Sequence, residues 1–239
     1  MILGAINFNL HFWIWNKEKK EFFKNFEIRI FMFTLVILSA VLFYALRADE
    51  PLRIFREGFY QIVSAHTGCG FTNLAYNEIN GFRPLGIAAI MMAMAIGGGM
   101  CSTTGGIKLL RLGFIFKALM GEVKKALMPF KAVYKERYHH LRDSLLEEKY
   151  IKEAFVIVTF YFLAYFIGGL IAMAFNYPTL SSFFESISAA ANVGLSVGIT
   201  NPSMPALLKV VFIFQMWMGR LEFLSIFIAL GYVFSLLKK

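Results

Sequence analysis

The chain has 239 residues, 58% of them hydrophobic, 27 of them Phe, and its mean hydropathy is +0.62. That composition excludes an ordinary water-soluble domain and points to a chain that crosses a membrane several times. The net charge of +9 does not mark a nucleic-acid binder, because it sorts by segment. Residues 16–29 hold five Lys/Arg and three acids, and residues 108–152 hold eleven and five. Residues 47–83 hold four of each, and 172–207 hold only Glu185. Basic segments alternate with neutral ones, so the positive-inside rule puts 16–29, 108–152 and the C-terminus in the cytoplasm.

Met1 to Trp15 is apolar but lacks a basic leading region, and Asn7, Asn9 and His11 interrupt it. It reads as an interfacial helix or the tail of a longer one, not as a signal peptide. Lys17 to Lys24 is a charged link. Ile28 to Leu46 is long enough to cross the hydrocarbon core. Asp49-Glu50-Pro51 opens an outer loop, with Pro51 suited to a first helical turn. Leu52 to Ala65 is too short and too charged to cross, and fits a re-entrant helix. His66 closes that helix and reads as a histidine satisfied by helix-end hydrogen bonds. His66-Thr67-Gly68-Cys69-Gly70-Phe71 then brings two glycines around one small residue. Backbone carbonyls aimed at a dehydrated cation need this texture, because glycine accepts the required φ/ψ.

A second apolar run starts at Pro84 and breaks at residues 97–106, which contain five glycines and three hydroxyl residues. A helix loses roughly 1 kcal/mol per Gly relative to Ala, so the stretch predicts an unwound, flexible constriction inside the membrane, the alternative being close helix packing through its small residues. It is no phosphate loop, since no Gly-Lys-Ser/Thr follows. Residues 108–152 are basic and amphipathic, with a break at Pro129. His139 and His140 are adjacent, which on a helix makes a poor metal pair, and they read as solvated. Cys69 and Cys101 show no metal or disulfide spacing. Ala154 to Phe175 is a further span, and Ser181 or Ser182 is expected to cap the short helix after Pro178. Leu207 to Leu237 is a last span that tolerates a tilt or a break. Arg220 and Glu222 lie near its middle, where charge is costly, and each is expected to find a partner on another element.

The chain also echoes itself. Adding 124 carries Gly70 onto Gly194, Cys69 onto Val193, Ser64 onto Ser188 and Phe59 onto Phe183. It carries the apolar run near 29–47 onto 153–171. This predicts two copies of one unit: apolar span, short helix, Gly-centred loop, apolar span.

Four strings sharpen the picture: Thr-Gly-Cys-Gly-Phe at 67–71, Ile-Gly-Gly-Gly-Met-Cys-Ser-Thr-Thr-Gly-Gly-Ile-Lys at 96–108, Asn-Val-Gly-Leu-Ser-Val-Gly at 192–198 and Met-Gly-Arg-Leu-Glu at 218–222. With Asn7-Phe8-Asn9-Leu10-His11 as a weaker fifth, they resemble the Trk/Ktr/HKT superfamily of potassium transporters, built from four helix–pore-helix–helix repeats in one chain. The resemblance covers the C-terminal half of such a protein. It implies an all-α membrane protein of two helix–pore-helix–helix repeats with re-entrant filter loops. Residues 1–26 would be the remnant of a preceding repeat and a cytoplasmic link. Residues 27–150 would be one repeat with its Gly-rich loop and a cytoplasmic segment, and 151–239 the next.

By the same resemblance, Thr67, Gly68, Cys69 and Gly70 with Asn192, Val193 and Gly194 form part of an ion selectivity filter, with K+ at its backbone carbonyls. Glycine at both 70 and 194 favours potassium over sodium. Gly97, Gly98, Gly99, Ser102, Thr103, Thr104, Gly105 and Gly106 with Arg220 form the gate. The implied function is potassium uptake across the plasma (inner) membrane, with multiple spans and a cytoplasmic C-terminus. It involves no enzyme chemistry, no cofactor beyond potassium as substrate, and no nucleic acid. Such a filter needs four loops, so an N-terminal half or a second copy would complete the pore. The alternative is a non-conducting fragment or split-gene subunit. A cytoplasmic ring of nucleotide-binding regulatory subunits is the further partner implied.

Overall fold

The computed structural model describes residues 1–16, 19–46, 52, 54–128 and 136–237. The expected turn at Asp49-Glu50-Pro51 and the break at Pro129 lie outside the described residues. Two short helices open the chain, α1 (Ile2–Ala5) and α2 (Phe8–Trp15), followed by α3 (Lys19–Lys24). Asn25 then caps α4 (Phe26–Ala45) by accepting the Glu27 N–H at 2.9 Å. Ile54–Phe59 forms a wider π-type turn that feeds α5 (Tyr60–His66). After α6 (Tyr76–Asn80), Pro84 at the first turn starts α7 (Pro84–Ala95), where its missing N–H is no loss. The glycine run ends α7, and helix resumes as α8 (Leu109–Leu127).

One departure from an all-α chain follows. Arg137–His140 (β1) and Arg142–Leu145 (β2) pair antiparallel, Arg137 opposite Leu145, turning at Leu141 with φ +61°. The expectation of solvated histidines on a helix therefore fails. Successive strand residues face opposite ways. His139 lies within 2.6 Å of both Asp143 and Glu21, while His140 sits 3.7 Å from buried Glu27. The hydrogen bond to Asp143, then that to Glu21, raises the His139 pKa above its ordinary value, partly offset by burial.

The second half runs α9 (Glu148–Ala174), α10 (Thr179–Ala190), α11 (Ala206–Arg220) and α12 (Phe223–Leu237). No serine caps α10. Pro178 holds the cap position, and Ser182 instead donates back to the Pro178 carbonyl at 2.9 Å. The last apolar run breaks at Leu221–Glu222, where Glu222 takes φ +55°.

The offset of 124 carries the helix bounds closely: 60–66 onto 184–190, inside α10, and 84–95 onto 208–219, inside α11. Packing repeats as well. In the first unit α4 and α5 both pack on α7; in the second α9 and α10 both pack on α11. Contact of α10 with α7 joins the units.

Among the described residues two helices, α4 and α9, are long and apolar enough to cross a membrane. On α4, Phe31, Leu35, Leu38 and Leu42 recur at helical spacing and are buried, while Met32, Phe33 and Val36 are exposed. On α9, Tyr161, Tyr165, Gly168 and Ala172 face the core, while Phe162, Phe166 and Leu170 face out. A helix apolar on its outer face as well as its buried one suits hydrocarbon rather than water.

Candidate functional site: two Gly-centred turns above a Gly-rich break

Helix α5 ends because Thr67 is its last near-helical residue and Gly68 turns left-handed at φ +62°. The Gly68 N–H reaches the Ala65 carbonyl at 3.2 Å, and the Cys69 N–H reaches Ser64 at 3.1 Å. This is a Schellman closure, which satisfies helix-end carbonyls that would otherwise be stranded. Helix α10 ends the same way. Asn192 takes φ +55° and donates to Ala189 at 3.1 Å, and Val193 donates to Ser188 at 3.0 Å. The preceding bonds match too, Thr67 to Val63 and Ala191 to Ile187. All three bonds repeat at the offset of 124. Gly70 and Gly194 then turn left-handed again, at φ +71° and +94°.

The turns meet. A Cβ added at Gly70 would lie 2.0 Å from the Val193 carbonyl oxygen, so the two backbones are in direct contact. Among the described residues, no hydrogen bond ends on the carbonyl oxygens of residues 67–70 or 192–194. Gly194 differs from Gly70 in facing open space, with nothing within 4 Å of an added Cβ. A cavity of about 230 Å³ lies beside it, lined by Glu185, Ser188, Asn192, Ser196, Thr200 and Met216 among others.

His66 is wholly buried at the end of α5. Its Nδ1 lies 2.8 Å from the Ile96 carbonyl oxygen and its Nε2 lies 2.8 Å from Thr34 Oγ1. A carbonyl only accepts, so Nδ1 carries the proton and Nε2 accepts from the threonine hydroxyl. With both nitrogens engaged and Phe31 stacked on the ring at 4.8 Å, His66 ties the first turn to the end of α7.

Residues 96–108 are non-helical, as five glycines require, but they are not slack. Ile96 and Ile107 pair in parallel, the Gly97 N–H reaching Ile107 at 2.8 Å. Gly98 donates to Thr104 Oγ1 at 2.8 Å, and Ser102 to the Gly99 carbonyl at 2.6 Å. Thr103 donates to the Gly4 carbonyl and Gly99 to Ala5. Glycine is required here for close approach. A Cβ at Gly97 would lie 1.9 Å from the Gly105 carbonyl oxygen, and one at Gly105 2.0 Å from that of Ala191. The stretch expected from the sequence to be a flexible constriction is a hydrogen-bonded, closely packed segment (the plug) against the second turn. Gly106 is left-handed at φ +69° where the chain re-enters helix, and Gly68 of the first turn packs on Thr104.

Arg220 reaches this plug, donating to the Thr103 carbonyl at 3.1 Å. Glu222 does not pair with it, and instead bonds Arg111 of α8. Sequence reasoning missed three more residues here. Lys108 is buried, its Nζ donating to the Thr104 carbonyl at 2.6 Å. Glu27, 2% exposed, accepts the Met100 N–H at 2.7 Å. Glu185 binds the segment after the second turn. A charge inside an apolar run was the available signal for Glu185.

Helices that suit hydrocarbon, and short helices that stop at paired Gly-centred turns, define a helical membrane protein. The chain belongs to the TrkH family of cation transport proteins, whose model matches residues 1–232. This falls within the Trk/Ktr group that the motifs resemble. It is 30% identical over 228 residues to an uncharacterized cation transporter of Methanocaldococcus jannaschii, covering 95% of this chain and 45% of that protein. It is 27% identical over 236 residues to the Trk system potassium uptake protein TrkH of Escherichia coli, covering 95% and 47%. The crystal structure of the potassium transporter TrkH from Vibrio parahaemolyticus superposes with a TM-score of 0.80 at 27% identity, covering 95% of this chain and 49% of that one. The chain thus spans about half the length of the curated relatives it matches.

Proposed function

We propose that this chain forms half of a potassium pore, as two helix–pore-helix–helix repeats with re-entrant filter loops. The ion path runs past residues 67–70 and 192–194. The observation that carries this reading is the matched backbone of the two turns, joined at Gly70 and Val193 with their carbonyl oxygens unclaimed. Such oxygens replace the hydration shell of a dehydrated cation, and α5 and α10 aim their negative C-terminal ends toward it. The Gly-rich plug and Arg220 form the gate on the far side of the filter. Its closed state is held by hydrogen bonds, so opening requires several of them to break together. Arg220 adds a positive charge that opposes a passing cation.

The protein sits in the plasma membrane with several spans and its C-terminus in the cytoplasm. An N-terminal half or a second copy completes the four-loop filter, and the basic hairpin side faces a cytoplasmic nucleotide-binding regulatory ring. The second reading is a non-conducting fragment or split-gene subunit that needs a separate N-terminal half. Growth of a potassium-uptake-deficient cell on low potassium separates the two. Rescue by the chain alone supports assembly from copies, and rescue only with a supplied N-terminal half supports the split subunit. Failure of both, with the chain folded in the membrane, leaves the non-conducting fragment.

A further inference from the structure

Behind the second Gly-centred turn lies a carboxylate that the proposed pore has not yet used. Glu185 is 3% exposed on α10. Its Oε1 accepts from the Ser196 hydroxyl at 2.5 Å, the Val197 N–H at 2.9 Å and the Ile199 N–H at 3.3 Å. Its Oε2 accepts from the Thr200 hydroxyl at 2.6 Å. Four donors therefore converge on two oxygens, and all four belong to residues 196–200, directly after Gly194. Charge-assisted bonds of this kind are about twice as strong as neutral ones. The segment is also tied across the unit boundary, since the Asn80 side chain donates to the Val197 carbonyl at 2.8 Å.

The offset of 124 places Gln61 at the matching position of the first unit. Gln61 is equally buried and reaches the matching segment, donating to Thr72 Oγ1 at 2.7 Å and to Asn73 Oδ1 at 3.0 Å. It holds side chains only, where Glu185 holds two backbone N–H groups. Next to it the pattern diverges again. The Ser188 hydroxyl accepts the Gly194 N–H at 3.1 Å, whereas Ser64 Oγ is buried without a hydrogen-bond partner.

We infer that Glu185 is a positioning residue for the ion path, fixing the outer limb of the second filter turn through residues 196–200 and so setting discrimination between potassium and sodium. This rests on the reading of 192–194 as part of that path. A Cβ added at Gly194 would meet nothing within 4 Å, and the residue borders the cavity, so the turn has no wall on that side. The hold comes from Ser188 before the glycine and from Glu185 after it. With four donors on its oxygens, the carboxylate is committed to the loop and is not a cation ligand. A filter discriminates between ions by the spacing and number of its carbonyls, so releasing one limb lets the turn adapt to the smaller ion.

The test uses the assembled pore in proteoliposomes, with potassium and sodium fluxes measured separately per folded protein. Glu185→Ala is expected to keep potassium flux measurable while the potassium-to-sodium flux ratio falls about tenfold or more. Glu185→Gln should recover most of that ratio, because its amide oxygen can take the Ser196, Val197 and Ile199 donors while its amide nitrogen faces the Thr200 hydroxyl. Gln61→Ala should lower the ratio less. A folded Glu185→Ala protein with the wild-type ratio overturns the inference and leaves the potassium pore standing. Wild-type protein that carries no potassium in any assembled form overturns both. Should Glu185→Ala not fold, Ser196→Ala with Thr200→Val removes two donors and leaves the carboxylate. An unchanged ratio in that double variant overturns the inference, and a lowered one supports it.

Discussion

Gly70 and Gly194 occupy matched places 124 residues apart, yet a methyl group added at Gly70 would strike the Val193 carbonyl oxygen at 2.0 Å, and one added at Gly194 would meet nothing within 4 Å. Both glycines are left-handed, at φ +71° and +94°, and both follow helices closed by the same three backbone bonds. The shared part is thus the backbone turn, and the difference lies in what each turn touches. The first is wedged between the second turn and the Gly-rich plug, with His66 tying it to Ile96. The second borders a cavity and is held from behind by Ser188 and Glu185. One glycine is required by contact and conformation together, the other by conformation alone. The same substitution at the two sites should therefore report on different things.

The largest effect is expected at Gly70. Gly70→Ala adds left-handed strain of about 1–3 kcal/mol and an overpacking term of about 1–3 kcal/mol against a backbone atom that cannot rotate away. Loss of monodisperse protein, or a drop in thermal midpoint far beyond that of Gly194→Ala, is the expected outcome in detergent. Equal midpoints for the two variants would break the comparison. Gly194→Ser comes next. It bears only the strain, roughly 1–3 kcal/mol, so it should fold. Its side chain enters open space by the path, and the potassium-to-sodium flux ratio should fall in the completed pore. An unchanged ratio in folded protein removes Gly194 from the filter.

Arg220→Ala is expected to be milder for stability and visible in flux. The matched position in the first unit is Ile96, whose carbonyl holds His66, so the two units put different groups at this place. The guanidinium is exposed, and loss of its bond to Thr103 should change stability by no more than about 1 kcal/mol. Flux per folded protein should rise several-fold. A variant that folds and conducts no faster leaves Arg220 with a packing role. The smallest effect is expected in the β1–β2 hairpin. The His139 pKa is raised in the folded chain, so its contribution is complete below the ordinary histidine value and is lost as pH rises through the raised one. Amide protection of residues 137–145 should therefore weaken as pH rises past the ordinary histidine value while that of 67–70 and 191–194 does not change. Loops that follow the hairpin would show the three regions to be coupled.

The matched helix ends and turns could be anticipated from the sequence because they rest on local signals: apolar runs, glycine pairs and an offset that aligns them. The helix ends fall where Gly68, the glycine run at 97–99 and Glu222 interrupt those runs. Contacts that join distant segments had no such signal. The plug is held by Gly4 and Ala5, about a hundred residues away, and nothing in Met1–Trp15 marks those carbonyls as acceptors. Arg111 and Glu222 lie 111 residues apart, so their pairing is invisible to spacing. The glycines at 97–99 were legible as a break, but lost helix propensity and close packing leave the same residue in the sequence, so the tight approach to Gly105 could not be told from it. Ser181 and Ser182 have the right chemistry for a cap, but Pro178 starts the helix earlier and leaves them inside the first turn.

The claim that both turns face one ion path is tested most directly by locating an ion. The assembled protein, crystallised with rubidium or thallium in place of potassium, should give an anomalous peak within coordination distance of carbonyl oxygens from both 67–70 and 192–194. The peak should weaken in Gly194→Ser. Ordered turns without any peak between them, in protein from a preparation that transports the same ion, would contradict the account.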